Sequence, residues 1–474
     1  MFVFHALVLT FITTPLTLFF YPERYRIDRS KTLESPPISG TGAAPTSDEF
    51  MRSKFTVVLD GIEQLPSAMT LTQLLQPRSA RLNTAEKSIT EKTSLSETSA
   101  ISNKRSIFVD ALRLIELTDR TSAVLRSQSA DILIRNDPVL SVFRTFGRLN
   151  RFPVSAFLSV INYDEFSSHV ANHVRESGSQ VVVIPWPLAS HAAEVPTGHH
   201  LGLPYNPFDS LFSNTSGVDD ANSLIQRSQF VRRVFASSPS DVALFIDRGL
   251  STDSGSTICP HVFLPFFGGP DDRLALSLVI QLCMHEAITA TVVRMHRLES
   301  HGKEILVSDG EKPGFDNEVS LPSFTCCRWL TQWQVAAFPN TVYSQPGTQV
   351  RIQSDTADNI LWDRVTSPNS SFDAEVSAAL TRISLQSESA VQPLHRMLQL
   401  VEDEASRTSK PILVVAGRSR RMAVDSHTHE LHELGKERNA SLASEISKMF
   451  GDVASAFVVA ERNVSLVVTQ ATLA

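Results

Sequence analysis

Cysteine is scarce: four in 474 residues, at Cys259, Cys283 and the adjacent pair Cys326 and Cys327. So few cannot staple a chain this long, and sequence neighbours rarely pair with each other. The pattern excludes a disulfide framework and fits a reducing compartment. Clustered Lys and Arg are lacking too. At a formal net charge of −7, no basic stripe is present to track a phosphate backbone, which excludes a general nucleic-acid binder. There is no Gly-x-Ser-x-Gly elbow, and no cysteine sits in a catalytic signature, so the residues mark neither an enzyme nor a metal site.

The chain opens instead on an uncharged apolar run, "MFVFHALVLTFITTPLTLFFY", broken only by His5, with "PERYRIDR" after it. Runs of this length span bilayers. A secretory signal would carry a basic start and a small-residue cleavage site; here Arg24, Arg26 and Arg29 all follow the run, which predicts a membrane helix over 1–26 with its C-terminal side in the cytoplasm. Pro15 is tolerable in such a helix when neighbouring helices satisfy the freed carbonyl.

Residues 27–53, rich in Ser, Thr, Pro and Gly, read as a linker, and the polar 77–105 as a disordered loop. Between and after them come short apolar runs: "KFTVVLDG", "SIFVDALRLIEL" (106–117), "VSAFLSVI" (154–161), "VVVIPW" (181–186) and "VALFIDRG" (242–249). The same rhythm returns in "HVFLPFF" (261–267), "ITATVVRM" (288–295), "PILVVAGR" (411–418) and "SLVVTQ" (465–470). Helix-like connectors lie between many of them, at 163–177, 272–286 and 390–405. Strands alternating with helices predict an α/β fold with a mainly parallel sheet covered on both faces. The repeat predicts two α/β units, 54–250 and 261–474, joined by a linker at 251–260, with an irregular insertion at 298–372.

Several stretches then occur in a telling order: "DALRLIELTDRTSAVL" (110–125), "VVVIPW", "FVRRVFASSPSDVALFIDRGL" (230–250), "FFGGPDDRLALSL" (266–278) and "FGDVASAF" (450–457). The series resembles the C-terminal cytosolic region of fungal potassium/proton antiporters and of plant cation/proton exchangers, the monovalent cation:proton antiporter-2 group. The "TTPL" of the apolar run resembles their last membrane helix. The resemblance implies two tandem universal-stress-protein-like (Rossmann-like) domains behind one membrane helix. It also implies a regulatory tail on the cytoplasmic side of an integral membrane exchanger of K⁺ or Na⁺ for H⁺. Its partners would be the transport domain, those ions, the membrane and a second copy, with no nucleic acid; "SLVVTQ" is the strand through which copies would pair. The family's ion path lies in roughly a dozen helices bearing buried carboxylates. The one apolar run here has no Asp or Glu, so the chain corresponds to a part of such a transporter. A membrane-anchored, nucleotide-sensing stress protein is the alternative.

The motif residues the resemblance singles out are Glu116, Asp119 and Arg120; Asp247, Arg248 and Gly249; and Gly268, Gly269, Pro270, Asp271, Asp272 and Arg273. The last group runs from a strand into a helix through two glycines, as phosphate loops do. Two carboxylates in the first turn would repel an anion, however, and the Walker lysine is missing. A helix start with its dipole complemented by Asp271 and Asp272 is the expectation, with a charged contact to another domain or a cation behind it. In "DSHTHELHE" (425–433), His429 and His432 are spaced by three rather than the four of a zinc-protease helix, which predicts a solvated face. His199 and His200 lie in a Pro/Gly-rich loop. A universal-stress nucleotide site would need Gly-x-x-Gly and then Gly-Ser/Thr. Here Gly417 is followed by "RSRR" and Gly451 by Asp452, so no cofactor is expected, and Arg418, Arg420 and Arg421 read as a solvated basic loop.

Overall fold

Alternating apolar runs and amphipathic connectors become alternating strands and helices. The computed structural model describes residues 50–76, 107–117, 130–186, 218–250, 259–298, 348–367, 372–418, 427–437, 443–460 and 464–472. These fall within one compact unit, Pro45–Ala474. Outside the described residues lie the apolar run, most of the linker expected at 27–53, the loop expected at 77–105, Asp119, Arg120, His199, His200, Cys326, Cys327, Arg420 and Arg421. Among the described residues no helix is long and apolar enough to cross a membrane.

The first half contains β1 (Lys54–Leu59), α1 (Leu65–Leu75), β2 (Phe108–Glu116), α2 (Ala130–Asn136), α3 (Pro138–Leu149), β3 (Val154–Ile161), α4 (Phe166–Ser177), β4 (Val181–Pro185), α5 (Val218–Ser237) and β5 (Asp241–Ile246). The second contains β6 (His261–Phe266), α6 (Pro270–Cys283), β7 (Thr289–Arg297), α7 (Thr348–Thr366), α8 (Ala374–Leu380), β8 (Ile383–Ala390), α9 (Pro393–Arg407), β9 (Ile412–Gly417), α10 (Thr428–Glu437), α11 (Ala443–Val459) and β10 (Ser465–Gln470). Local chemistry sets the ends. Asp137 caps α3, accepting from the Leu140 amide at 2.8 Å with Pro138 at the first helical position, and Gly178 (φ 67°) closes α4 in the left-handed region.

All ten strands form one sheet in the order β3-β2-β1-β4-β5-β10-β9-β6-β7-β8. Each half has the same internal order, and every neighbouring pair is parallel except β5 with β10, which run antiparallel with Leu466 opposite Ile246. The halves therefore meet through their last strands. β10 is hydrogen-bonded on its other side to β9, with Ser465 opposite Leu413. Both its edges are occupied within the chain, which corrects the expectation that "SLVVTQ" pairs two copies.

Both faces are buried, as a parallel sheet requires. Val58 packs in one layer while Val57 and Leu59 pack in the other. Each layer draws on both halves: Ile184 and Val242 lie in one with Val414 and Leu466, and Val183 and Phe245 lie in the other with Leu413 and Val467. The hydrophobic core is thus continuous across the seam.

Two elements depart from the sequence reading. β8 is an edge strand, paired only with β7 among the described residues, and its sequence "ISLQSESA" is largely polar, with only Ile383 buried. The insertion expected to be irregular over 298–372 contains α7. Its inward side carries Ser354 and Asp358 before Val365, all buried. Polar residues at i and i+4 hid the helical period.

Candidate functional site

The loop after β6 needs its glycines. Gly268 and Gly269 both have φ 97°, a region L side chains rarely enter, and a Cβ on Gly268 would meet the Asp358 carboxylate. Pro270 opens α6, and Arg273 donates its amide to the Gly269 carbonyl at 3.0 Å. Asp271 and Asp272 occupy the first turn, where the helix dipole favours negative charge.

Their carboxylates also reach beyond the helix. Asp272 Oδ2 accepts from the amides of Phe267 (2.7 Å) and Gly268 (2.9 Å), and Oδ1 accepts from the amide of Gly417 at the end of β9 (3.1 Å). Asp271 Oδ1 accepts from the Ala471 amide just past β10 (2.8 Å), and its carbonyl accepts from the Thr469 hydroxyl (3.2 Å). The two side chains tie the ends of β6, β9 and β10 to one helix start. The amides that would cradle a phosphate are donated to the protein's own carboxylates.

Asp271 is 0% and Asp272 5% exposed. Enclosure removes them from any charged contact with an outside partner, an expectation the structure corrects. The charge that the motif presents outward is Arg273, whose side chain is 25% exposed.

A third carboxylate, Asp358 on α7, escaped the sequence reading. Its Oδ2 accepts from the Gly269 amide at 2.8 Å, and its Oδ1 pairs with Arg273 Nη1. The same Nη1 donates to the Ser354 carbonyl (3.2 Å) and hydroxyl (3.3 Å). Burial pushes the Asp358 carboxyl above the ordinary carboxylate range, while Arg273 and the Gly269 amide pull it back. The available signal was the Ser354–Asp358 spacing ahead of Leu361 and Val365, a helical stripe whose first members are polar.

The other motifs lie elsewhere. Asp247 follows β5 and accepts at Oδ1 from the amides of Gly249 (3.1 Å) and Leu250 (2.9 Å) and from the Ser465 hydroxyl (3.3 Å). Arg248 donates its amide to that hydroxyl at 2.9 Å, and Gly249 supplies φ 126° for the turn. This turn fastens the end of β5 to the start of β10. The glycine–aspartate loop lies at the opposite end of β10, roughly 20 Å away by the rise of a six-residue strand. Glu116 ends β2, exposed, opposite Ile161 of β3. The structure does not gather these residues into one site.

The glycines of the broken nucleotide pattern have packing reasons. A Cβ on Gly417 would overlap Asp272, and one on Gly451 (φ 79°), at the break inside α11, would overlap the Arg418 carbonyl. Arg418, expected in a solvated loop, is 7% exposed. It donates to the carbonyls of Met449 (2.8 Å) and Lys448 (2.9 Å) and to Gln470 Oε1 (2.6 Å), and it stacks 4.4 Å from the Phe235 ring centroid. Gln470 Nε2 donates to the Phe235 carbonyl at 2.6 Å, so the arginine bridges the two halves.

On α10, His429 and His432 are exposed, but Glu430 between them is buried and accepts from the His395 amide (3.0 Å) and meets its Nδ1 (2.9 Å). Among the described residues no group of three or more His, Cys, Asp or Glu could hold a metal.

Comparison with known proteins adds relatives of low identity. Cation/H(+) antiporter 18 of Arabidopsis thaliana is 23% identical over 307 residues, covering 61% of this chain and 31% of that protein. K(+)/H(+) antiporter 1 of Saccharomyces cerevisiae is 24% identical over 358 residues, covering 60% and 39%. Cation/H(+) antiporter 19 of Arabidopsis thaliana is 39% identical over a short stretch of 66 residues. The chain is thus similar to cation/proton antiporters and spans about a third of the length of the first two. No family model matches. Among solved structures, a universal stress protein from Archaeoglobus fulgidus aligns over 89% of this chain with a TM-score of 0.37 and 8% identity.

Proposed function

We propose that this chain is the C-terminal regulatory region of a monovalent cation:proton antiporter, exchanging K⁺ or Na⁺ for H⁺, and that the ion path belongs to the transport domain of the same protein. The observation that carries the reading is the similarity to curated cation/H(+) antiporters over 60% or more of this chain, falling on about a third of each relative's length. The closed α/β unit supports it: the described residues have buried apolar faces on both sides of the sheet and no helix suited to a membrane. In this reading residues 1–26 form the last membrane helix and the unit from residue 45 onward lies on the cytoplasmic side. Its two halves, 54–250 and 261–474, act as tandem universal-stress-like domains without catalysis. The filled amide cradle at Gly268 and Gly417 disfavours the nucleotide-sensing alternative at that loop.

Sequencing the transcript upstream of the Met1 codon tests the reading. An in-frame extension encoding further membrane helices is expected. An in-frame stop directly upstream, with the start at Met1, would overturn it.

A further inference from the structure

Beside the glycine–aspartate loop, on its α6–α7 side, lies an open cleft of about 590 Å³. Small-molecule sites have volumes of roughly 300–1,000 Å³. Among the described residues that line it are three arginines, Arg52, Arg273 and Arg364, and one carboxylate, Asp241. Asp358 stands behind Arg273.

Each guanidinium is held in place by a different device. The Arg52 backbone is clamped by Gln281, with amide to Oε1 at 3.0 Å and Nε2 to carbonyl at 2.8 Å, and its Nε and Nη2 both reach Asp241 Oδ2 at 3.3 Å. Arg364 stacks on Phe50 and Phe372, 5.4 and 5.2 Å from their ring centroids. Arg273 is fixed through Nη1 alone by Asp358 and Ser354; its Nε and Nη2 make no hydrogen bond to the described residues. A planar fork anchored on one side and open on the other suits the oxygens of a phosphate. The lining also includes the apolar side chains of Leu274, Leu361 and Ile360, the last 62% exposed.

The geometry points to a binding site for a phosphate monoester with a compact apolar body, its phosphate on Arg273 and its body against Ile360. The inference does not depend on the antiporter reading. Such a group occurs in soluble organic phosphates and in the headgroup of phosphatidic acid, and the two sources separate experimentally.

The full 474-residue chain is titrated with phenyl phosphate by calorimetry and, separately, sedimented with phosphatidylcholine vesicles with and without phosphatidic acid. Arg273→Gln and Ile360→Asp are compared with the unaltered chain. Because Arg273→Gln leaves Asp358 without its cation, Ile360→Asp, at a solvent-facing position, tests the site without disturbing the fold, and thermal unfolding checks both. Saturable binding of phenyl phosphate, weakened roughly tenfold or more by a carboxylate placed in the cleft, is the expected result. Binding confined to phosphatidic-acid vesicles, and lost in Ile360→Asp, supports the site with a lipid headgroup as its source. No binding to either probe, or equal binding by folded Ile360→Asp, overturns the proposal.

Discussion

Gly417 donates its amide to Asp272 Oδ1 across 3.1 Å, joining the end of β9 to a helix start 145 positions earlier in the chain. The other oxygen of that carboxylate holds Phe267 and Gly268. One buried side chain thus closes the loop on itself. Replacing Asp272 by Ala removes the acceptor of three amides, and an orphaned buried group costs about 1–3 kcal/mol. Urea unfolding is expected to show a loss of roughly 2–5 kcal/mol. A loss below about 0.5 kcal/mol, the usual range for a surface change, would contradict this role.

Gly417→Ala tests the same contact from the other side. The added methyl would overlap both the carboxylate and the backbone nitrogen of Asp272, so the cost is steric. An unfolding free energy lower by about 1–3 kcal/mol is expected, as for overpacking in a filled core.

Arg418 is the corresponding test of the seam between the halves. Arg418→Met keeps much of the stem's packing on Phe235 but strips donors from the Met449 and Lys448 carbonyls and from Gln470. A loss of about 2–4 kcal/mol in urea unfolding is expected, with faster hydrogen exchange in β5 and β10 than in β2. Uniform exchange across the sheet would count against a local seam.

The architecture was largely legible in the sequence because parallel strands buried on both faces are written as continuous β-branched runs, such as "VVVIP" and "ILVVAG". β8 carries no such run: its first residue, Ile383, is its one buried position, and the rest of the strand is half-buried or exposed. The site was legible in half. Gly268 to Arg273 stand together in sequence, but their partners come from Asp358, Gly417 and Ala471, and long-range carboxylate-to-amide bonds leave no local signature. Arg418 misled for a related reason. A basic residue after a strand reads as solvated, and only the fold brings carbonyls and the Phe235 ring to it.

His261 gives a pH test. Its ring nitrogens meet the hydroxyls of Thr289 (2.9 Å) and Thr291 (3.1 Å). Burial lowers its pKa below the ordinary 6.5, with Glu404 opposing and Lys410 reinforcing. A folded pKa below the unfolded one contributes stability that is full above about 6.5 and is lost as pH falls through the folded value. Urea unfolding at pH 7.5 and pH 5.5 is expected to show a smaller acid loss for His261→Gln than for the unaltered chain. Equal losses would exclude His261 as a source.

Cys283 is buried on α6, and desolvation pushes its thiol up to about 12. Without thiolate it is unreactive in the fold. In iodoacetamide labelling read by peptide mass spectrometry, Cys283 is expected to stay unmodified until denaturant is added, while half-buried Cys259 reacts first. Modification of Cys283 at the Cys259 rate would contradict its burial.

The regulatory role is tested most directly by potassium-driven proton flux in sealed vesicles, comparing the full transcript product with a form ending before residue 45. Flux that persists without the α/β unit but changes in rate or in pH dependence is the predicted result. Flux identical in both forms across the pH range would contradict the account.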